Sequence, residues 1–167
     1  FDFQGNATQL TQGPWDVVDV IGFDAKRKRV YFTSSKEGAT QKHTSYVDMR
    51  GRVTTLDNTA GTHSDDFSKS FDYSIHEHST ANTPPIFTLR DRNGAVIREL
   101  KDNARLRQIM NDYGAVSKEF FTFTNEAGVD LNCWKMLPQD FDATKKYPVY
   151  VAIYGGPGAN TVNDSWG

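Results

Sequence analysis

Cysteine is almost missing from this chain: Cys133 is the single one among 167 residues, which excludes an internal disulfide framework. That count leaves the cellular compartment open. A concentrated charge of one sign is also missing, since 19 basic residues stand against 21 acidic ones, a formal net charge of −2. The densest basic cluster, Lys26-Arg27-Lys28-Arg29, falls in a predicted turn. Without a basic groove or stripe to meet phosphates, nucleic acid is not expected as a partner. The longest apolar run falls far short of the ~18 residues that span a bilayer. There is no starting Met and no signal-like leader, so the N-terminus is expected to be truncated and the missing leader is uninformative.

What is present is a repeat. Phe32 in Arg29-Val-Tyr-Phe-Thr-Ser34 matches Ile75 in Asp72-Tyr-Ser-Ile-His-Glu77, and Gly51 falls on Gly94, a period of about 43 residues. Each unit reads as four short strands: 16–23, 29–34, 44–49 and 52–56, then 65–70, 73–79, 86–90 and 95–100. Arg50-Gly51 and Asn93-Gly94 supply residues tolerant of positive φ for the turns between the last two strands of each unit. Four strands per unit at this period is the signature of propeller blades, and two blades do not close a ring.

After residue 100 the alternation stops. Leu106, Ile109 and Met110 fall at helical spacing within 101–110, and Asn103 is a candidate cap. Residues 118–124 and 129–137 read as a hairpin joined by Asn125-Glu-Ala-Gly128, and 138–146 as a polar connection. Val149 to Tyr154 is a short uncharged run of bulky residues, which suits a strand buried on both faces. It ends in Gly155-Gly-Pro-Gly158, a tight bend at a strand's C-terminal end, the edge where open α/β sheets collect ligands and catalytic groups. The fold class expected is mostly β: two four-stranded antiparallel blades in 1–102, then the first strands of an α/β-hydrolase domain in 103–167.

The run from Trp134 through Leu137-Pro138, Phe141-Asp142 and Lys146-Tyr147-Pro148 to Tyr154-Gly-Gly-Pro-Gly158 resembles the start of the catalytic domain in the prolyl oligopeptidase family. Within that family it is most similar to the dipeptidyl peptidase IV branch, and the similarity extends back through Leu100-Lys-Asp-Asn103 and the two blades. The resemblance implies a seven- or eight-bladed propeller ahead of an α/β-hydrolase domain. It also implies a serine exopeptidase that cuts beyond a penultimate proline or alanine, with peptide substrates, no cofactor, and export to the periplasm or cell surface. Tyr154 matches the family tyrosine whose hydroxyl donates to the oxyanion, a role worth roughly 3–4 kcal/mol of transition-state stabilisation. The nucleophile elbow Gly-x-Ser-x-Gly is not in the sequence. The serine, acid and histidine come later in the family's chain order, and its substrate-holding glutamates earlier. The chain by itself is therefore expected to be inert.

Blander readings compete at several positions. Tyr150 reads as packing. His76 and His78, with His63 nearby, read as a polar blade surface: Asp65, Asp66 or Glu77 offers a third ligand, but the usual zinc spacings are missing and no metal site is expected. Cys133, beside Trp134, reads as a buried, unreactive thiol. Phe120, Phe121 and Phe123 read as a core-facing strand. Asn6-Ala-Thr8 and Asn163-Asp-Ser165 match the N-glycosylation pattern. Two other functions fit the same residues, a non-catalytic propeller-based binding protein of the same family and an α/β-hydrolase esterase. Uncovered strand edges and apolar faces predict self-association.

Overall fold

A computed structural model describes residues 3–153, 155–156 and 159–167. Its first half consists of two four-stranded sheets, each a meander whose neighbours in sequence are neighbours in space. One has the order β1 (Val17–Asp24), β2 (Arg29–Ser34), β3 (His43–Asp48), β4 (Val53–Thr55), and the other β5 (Thr62–Phe67), β6 (Tyr73–Thr80), β7 (Thr83–Asp91), β8 (Val96–Lys101). All pairings within them are antiparallel. These are the two blades expected from the repeat.

The closing hairpin of each blade is made by the same local chemistry. Asp48 Oδ1 accepts from the N–H groups of Arg50 (2.9 Å) and Arg52 (3.1 Å), while Gly51 N–H returns to Asp48 O at 3.0 Å. In the second blade Asp91 Oδ1 accepts from Asn93 (2.8 Å) and Ala95 (3.0 Å), and Gly94 N–H returns to Asp91 O at 2.9 Å. Gly51 and Gly94 have φ of 78° and 85°, a left-handed conformation that a Cβ disfavours.

The repeat is not uniform through the blade, and the match of Phe32 to Ile75 does not hold. Phe32 is opposite Ser45, but Thr88, the counterpart of Ser45, is opposite His76. Phe32 and Ser45 are 13 positions apart, whereas His76 and Thr88 are 12. Slipping a strand by one residue sends its side chains to the other face. Hence Phe32 and His76 are both 2% exposed, and Ile75 is 48% exposed.

Side chains and backbone join the blades. The Tyr31 ring of β2 lies 4.7 Å from Phe67 and 4.9 Å from Phe71 of the second blade. Gly22 admits this packing, since a Cβ there would stand 2.9 Å from the Phe71 ring. Arg27, in the β1–β2 turn, donates to Asp24 at 2.7 Å and across the gap to Asp72. Between β3 and β5, Lys42 N–H meets Gly61 O at 3.3 Å and His63 N–H meets Lys42 O at 2.7 Å.

Beyond the blades, α1 (Ala104–Asp112) follows the expected helical stretch. Asn103 occupies the cap position but does not cap: its backbone is left-handed and its Nδ2 donates to Pro85 O at 2.7 Å. Asp102 Oδ1 accepts from Ala104 N–H instead, at 3.0 Å. The hairpin β9 (Glu119–Thr124) and β10 (Asp130–Lys135) pairs over six positions. Its turn repeats the blade device, with Asn125 Oδ1 accepting from Ala127 and Val129 and Gly128 at φ 75°.

The hairpin packs differently from expectation. Phe120, Phe121 and Phe123 are exposed, as is Trp134, because among the described residues no layer covers either face. The run 149–153 is not a buried strand. It pairs with no strand, and Tyr150 and Ile153 are 93% and 92% exposed. An extended segment needs a neighbour to take its backbone hydrogen bonds, and no described residues supply one.

Candidate functional site

Tyr154, Pro157 and Gly158 lie outside the described residues, so the site begins with what flanks them. Gly155 has open space around it, and Gly156 O accepts from Ala159 N–H at 3.3 Å. Past this turn the chain comes back to the blades. Asn160 Nδ2 donates to Ala39 O at 3.1 Å, and Trp166 N–H to Ser79 Oγ at 3.3 Å. Asp164 engages all its polar groups. Its N–H donates to Thr40 O at 2.8 Å, and its carbonyl accepts from Thr62 Oγ1 at 3.0 Å. Its Oδ1 accepts from Ala81 N–H at 2.8 Å and its Oδ2 from Gln41 Nε2 at 3.5 Å. Nothing in the sequence pattern pointed to these contacts, whose partners lie in the β2–β3 connection, in β5, in β6 and in the β6–β7 turn.

The second concentration of chemistry is where the blades meet. All four histidines of the chain, His43, His63, His76 and His78, stack around His63 or hydrogen-bond within this cluster. The expected polar surface is wrong for two of them, because His63 and His76 are 0% and 2% exposed. Strand alternation carries them inward from β5 and β6, and β3 brings His43 against His63 with ring centroids 4.5 Å apart. His43 lay outside the sequence reasoning because its distance along the chain concealed the contact.

The donors form a line. His63 Nε2 meets Thr59 O at 2.7 Å, His63 Nδ1 meets His76 Nε2 at 3.3 Å, and His76 Nδ1 meets Asp65 Oδ2 at 3.1 Å. Ser74 Oγ donates to Asp65 Oδ1 at 2.9 Å. A carbonyl only accepts, so Nε2 of His63 carries the hydrogen there and its Nδ1 accepts from His76. Burial, the largest influence, holds His63 down to about 4, and it is neutral at pH 7. His76 bridges the line, its Nε2 facing His63 and its Nδ1 facing the Asp65 carboxylate, with both side chains buried. For Asp65 burial opposes ionisation, but the bonds from His76 and Ser74 outweigh it and keep the carboxyl below its ordinary range.

Asp57, His63 and His76 place ligand-type atoms within 4.8 Å of one another. Each is committed elsewhere. Asp57 Oδ2 pairs with Arg90 Nη2 at 2.7 Å, and Asp57 Oδ1 accepts from Thr59 N–H and Oγ1 at 2.8 and 2.6 Å. Burial raises the Asp57 carboxyl, yet these partners more than offset it and hold it well below the usual range. That leaves two ring nitrogens facing each other, fewer than the three protein ligands of a catalytic zinc site. Of the other acids considered for a metal, Asp66 is exposed on the opposite face of β5, and Glu77 follows His76 in β6 and so points to the opposite face of that strand. The donor set suits a hydrogen-bonded core better than a metal.

Two further readings change. Cys133 is half-buried rather than buried, with Sγ 3.8 Å from Leu131 O. Tyr150 is solvent-exposed rather than packed.

Two consecutive four-stranded antiparallel meanders, joined side by side, define a segment of a β-propeller. The family model of the dipeptidyl peptidase IV (DPP IV) N-terminal region matches residues 1–85, just over half of the chain, and the chain belongs to that family. Dipeptidyl peptidase 4 of Arthroderma otae is 33% identical over 167 positions, covering 97% of this chain and 21% of that protein. That of Trichophyton rubrum is 32% identical with the same coverage. Among solved structures, Porphyromonas gingivalis dipeptidyl peptidase 4 superposes with a TM-score of 0.93 at 31% identity, over 100% of this chain and 24% of that one. A putative dipeptidyl aminopeptidase IV from Bacteroides ovatus gives 0.82 at 32% identity, over 97% and 23%. The chain thus spans about a fifth of the length of the curated relatives it matches. Among the described residues, no helix is long and apolar enough to cross a membrane.

Proposed function

We propose that this chain is the junction of a longer serine exopeptidase that releases N-terminal X-Pro or X-Ala dipeptides from peptides. Residues 1–102 contribute two propeller blades, and 103–167 begin the α/β-hydrolase domain that carries the chemistry. The observation that carries this reading is the extent of the similarity. It runs past residue 85, where the propeller family model stops, through the hairpin and the glycine turn, in relatives named dipeptidyl peptidase 4.

In this reading Tyr154 presents a neutral hydroxyl to the carbonyl oxygen of the scissile bond as negative charge forms on it. A backbone N–H next to the serine is its partner. Gly155 and Gly156 let the chain turn away without a Cβ meeting the substrate. The serine, acid and histidine belong to the remainder of the hydrolase domain, so the 167 residues alone do not turn over substrate. Peptides are the partners, no cofactor takes part, and the protein works in the periplasm or at the cell surface.

The test is an assay of the longer protein on a Gly-Pro anilide and on a short acyl ester. Cleavage of the anilide supports the exopeptidase, and turnover of the ester alone assigns an esterase. No turnover of either, with a residue other than serine at the elbow, assigns a non-catalytic propeller protein. Tyr154→Phe is expected to lower kcat by roughly 100- to 1,000-fold with little change in KM.

A further inference from the structure

The β6–β7 turn of the second blade, Ala81-Asn82, meets the chain beyond residue 102 through the Asn82 side chain. Asn82 turns both ends of its amide to Lys118, the residue just ahead of β9. Its Nδ2 donates to Lys118 O at 3.0 Å, and its Oδ1 accepts from Lys118 N–H at 2.8 Å. One side chain thus answers both backbone groups of a residue, as a paired strand would. The turn itself holds Asn82 for this contact. Thr80 pairs with Thr83 across it, and Asn82 N–H donates to Thr80 Oγ1 at 3.2 Å. A second asparagine fastens the start of the connection: Asn103, with φ of 53°, donates from Nδ2 to Pro85 O of β7 at 2.7 Å.

The two clips are fifteen positions apart, and α1 occupies nine of them. A connection of that make-up reaches about 30 Å when its non-helical part is extended. Here it begins and ends on one hairpin of the second blade. The returning chain lands on the same hairpin, with Asp164 Oδ1 accepting from Ala81 N–H at 2.8 Å and Trp166 N–H donating to Ser79 Oγ at 3.3 Å. We propose that the β6–β7 hairpin is the joint between the propeller and the domain that follows it, and that Asn82 is the clip closing 103–118 into a strap. Closing the strap sets β9 against the blade instead of leaving it free over the reach of the connection. With β9 set, the returning chain meets the turn at a fixed place. The inference rests on the reading of 103–167 as the start of a second domain.

The experiment follows amide hydrogen exchange and trypsin cleavage of the longer protein as wild type, Asn82→Ala and Asn103→Gly. In Asn82→Ala the Lys118 N–H is expected to exchange about 10-fold faster, the effect of losing its hydrogen bond on local opening. Trp166 N–H, which Asn82 does not touch, is expected to exchange at least about threefold faster, because it shares the joint. His63 N–H, bonded to Lys42 O between the blades, is expected to keep its rate and so to report that the propeller is intact. Trypsin cuts after Arg105 and Arg107 in α1, and is expected to release two folded pieces sooner from Asn82→Ala than from the wild type. Should Asn82→Ala fold poorly, Asn103→Gly keeps the left-handed backbone, removes the other clip and is judged by the same readings. Wild-type exchange at Lys118 and Trp166 together with wild-type cleavage, in both variants, overturns the joint. Faster exchange at Lys118 alone overturns it too, since Asn82 then acts only on its neighbour. If the cleaved pieces stay folded in no variant, the two-domain reading falls and the joint falls with it; folded pieces with unchanged exchange overturn the joint and leave that reading standing.

Discussion

His63 and His76 face each other across neighbouring strands with Nδ1 and Nε2 3.3 Å apart, inside the seam between two blades. Neither ring reaches water. The pair is closed at one end by the Thr59 carbonyl and at the other by the Asp65 carboxylate.

His63 makes stability depend on pH in a definite direction. Its folded pKa of about 4 lies below the ordinary 6.5, so the unfolded chain binds the proton more tightly. The contribution is full above pH 6.5, declines as pH falls from 6.5 to 4, and is gone below that. About 2.5 units correspond to roughly 3 kcal/mol. Urea midpoints between pH 4 and 7 are expected to fall more steeply in the wild type than in His63→Gln; equal slopes would remove His63 as the source.

The three turn glycines form a graded series. Gly128→Ala has open space and is expected to cost only the left-handed penalty, about 1 kcal/mol. Gly51→Ala adds a contact with Leu10 O at 3.3 Å, and Gly94→Ala a collision with Leu56 O at 2.9 Å. The expected order of Tm loss is Gly94, then Gly51, then Gly128. Equal losses would mean that the φ penalty alone decides.

Arg90→Ala leaves the Asp57 carboxylate with only Thr59 to answer its charge. Arg90 and Asp57 side chains are 11% and 20% exposed, so water only partly replaces the guanidinium. A loss of about 2 kcal/mol is expected in denaturant titration, with little dependence on salt. Strong salt dependence would place the pair in solvent.

Tyr31→Ala removes the ring packed between the blades and is expected to cost about 3–4 kcal/mol. A loss under 1 kcal/mol would show that Phe67 and Phe71 close the gap.

The exposed aromatic hairpin and the unpaired run 149–153 are expected to make the 167-residue chain self-associate. Light scattering checks this, and a monodisperse monomer at high concentration would count against it.

Turn chemistry and strand alternation are local, and they were legible from the residues. Gly51 and Gly94 mark the hairpins because only a few residues away Asp48 and Asp91 complete the same bonds. α1 was legible for the same reason, although Asp102 rather than Asn103 caps it. The site was less so. Tyr154 was reached through resemblance to a family, and its placement falls outside the described residues. The histidine cluster was misread as surface because period-two alternation says which residues share a face but not what the face meets.

Sequence alone located most of the strands, the turns that close the hairpins and the 43-residue spacing of those hairpins, since each follows from φ preferences and bonds within a few positions; it missed at 149–153, which has no pairing partner, and placed β5 three residues too late. Tertiary structure decided the one-residue slip that puts His76 where Phe32 stands, the burial of His63 between blades, and the return of Asp164 to both. Those outcomes depend on which surfaces come together after residues as far apart as 41 and 164 are brought into contact, and no local pattern encodes that encounter.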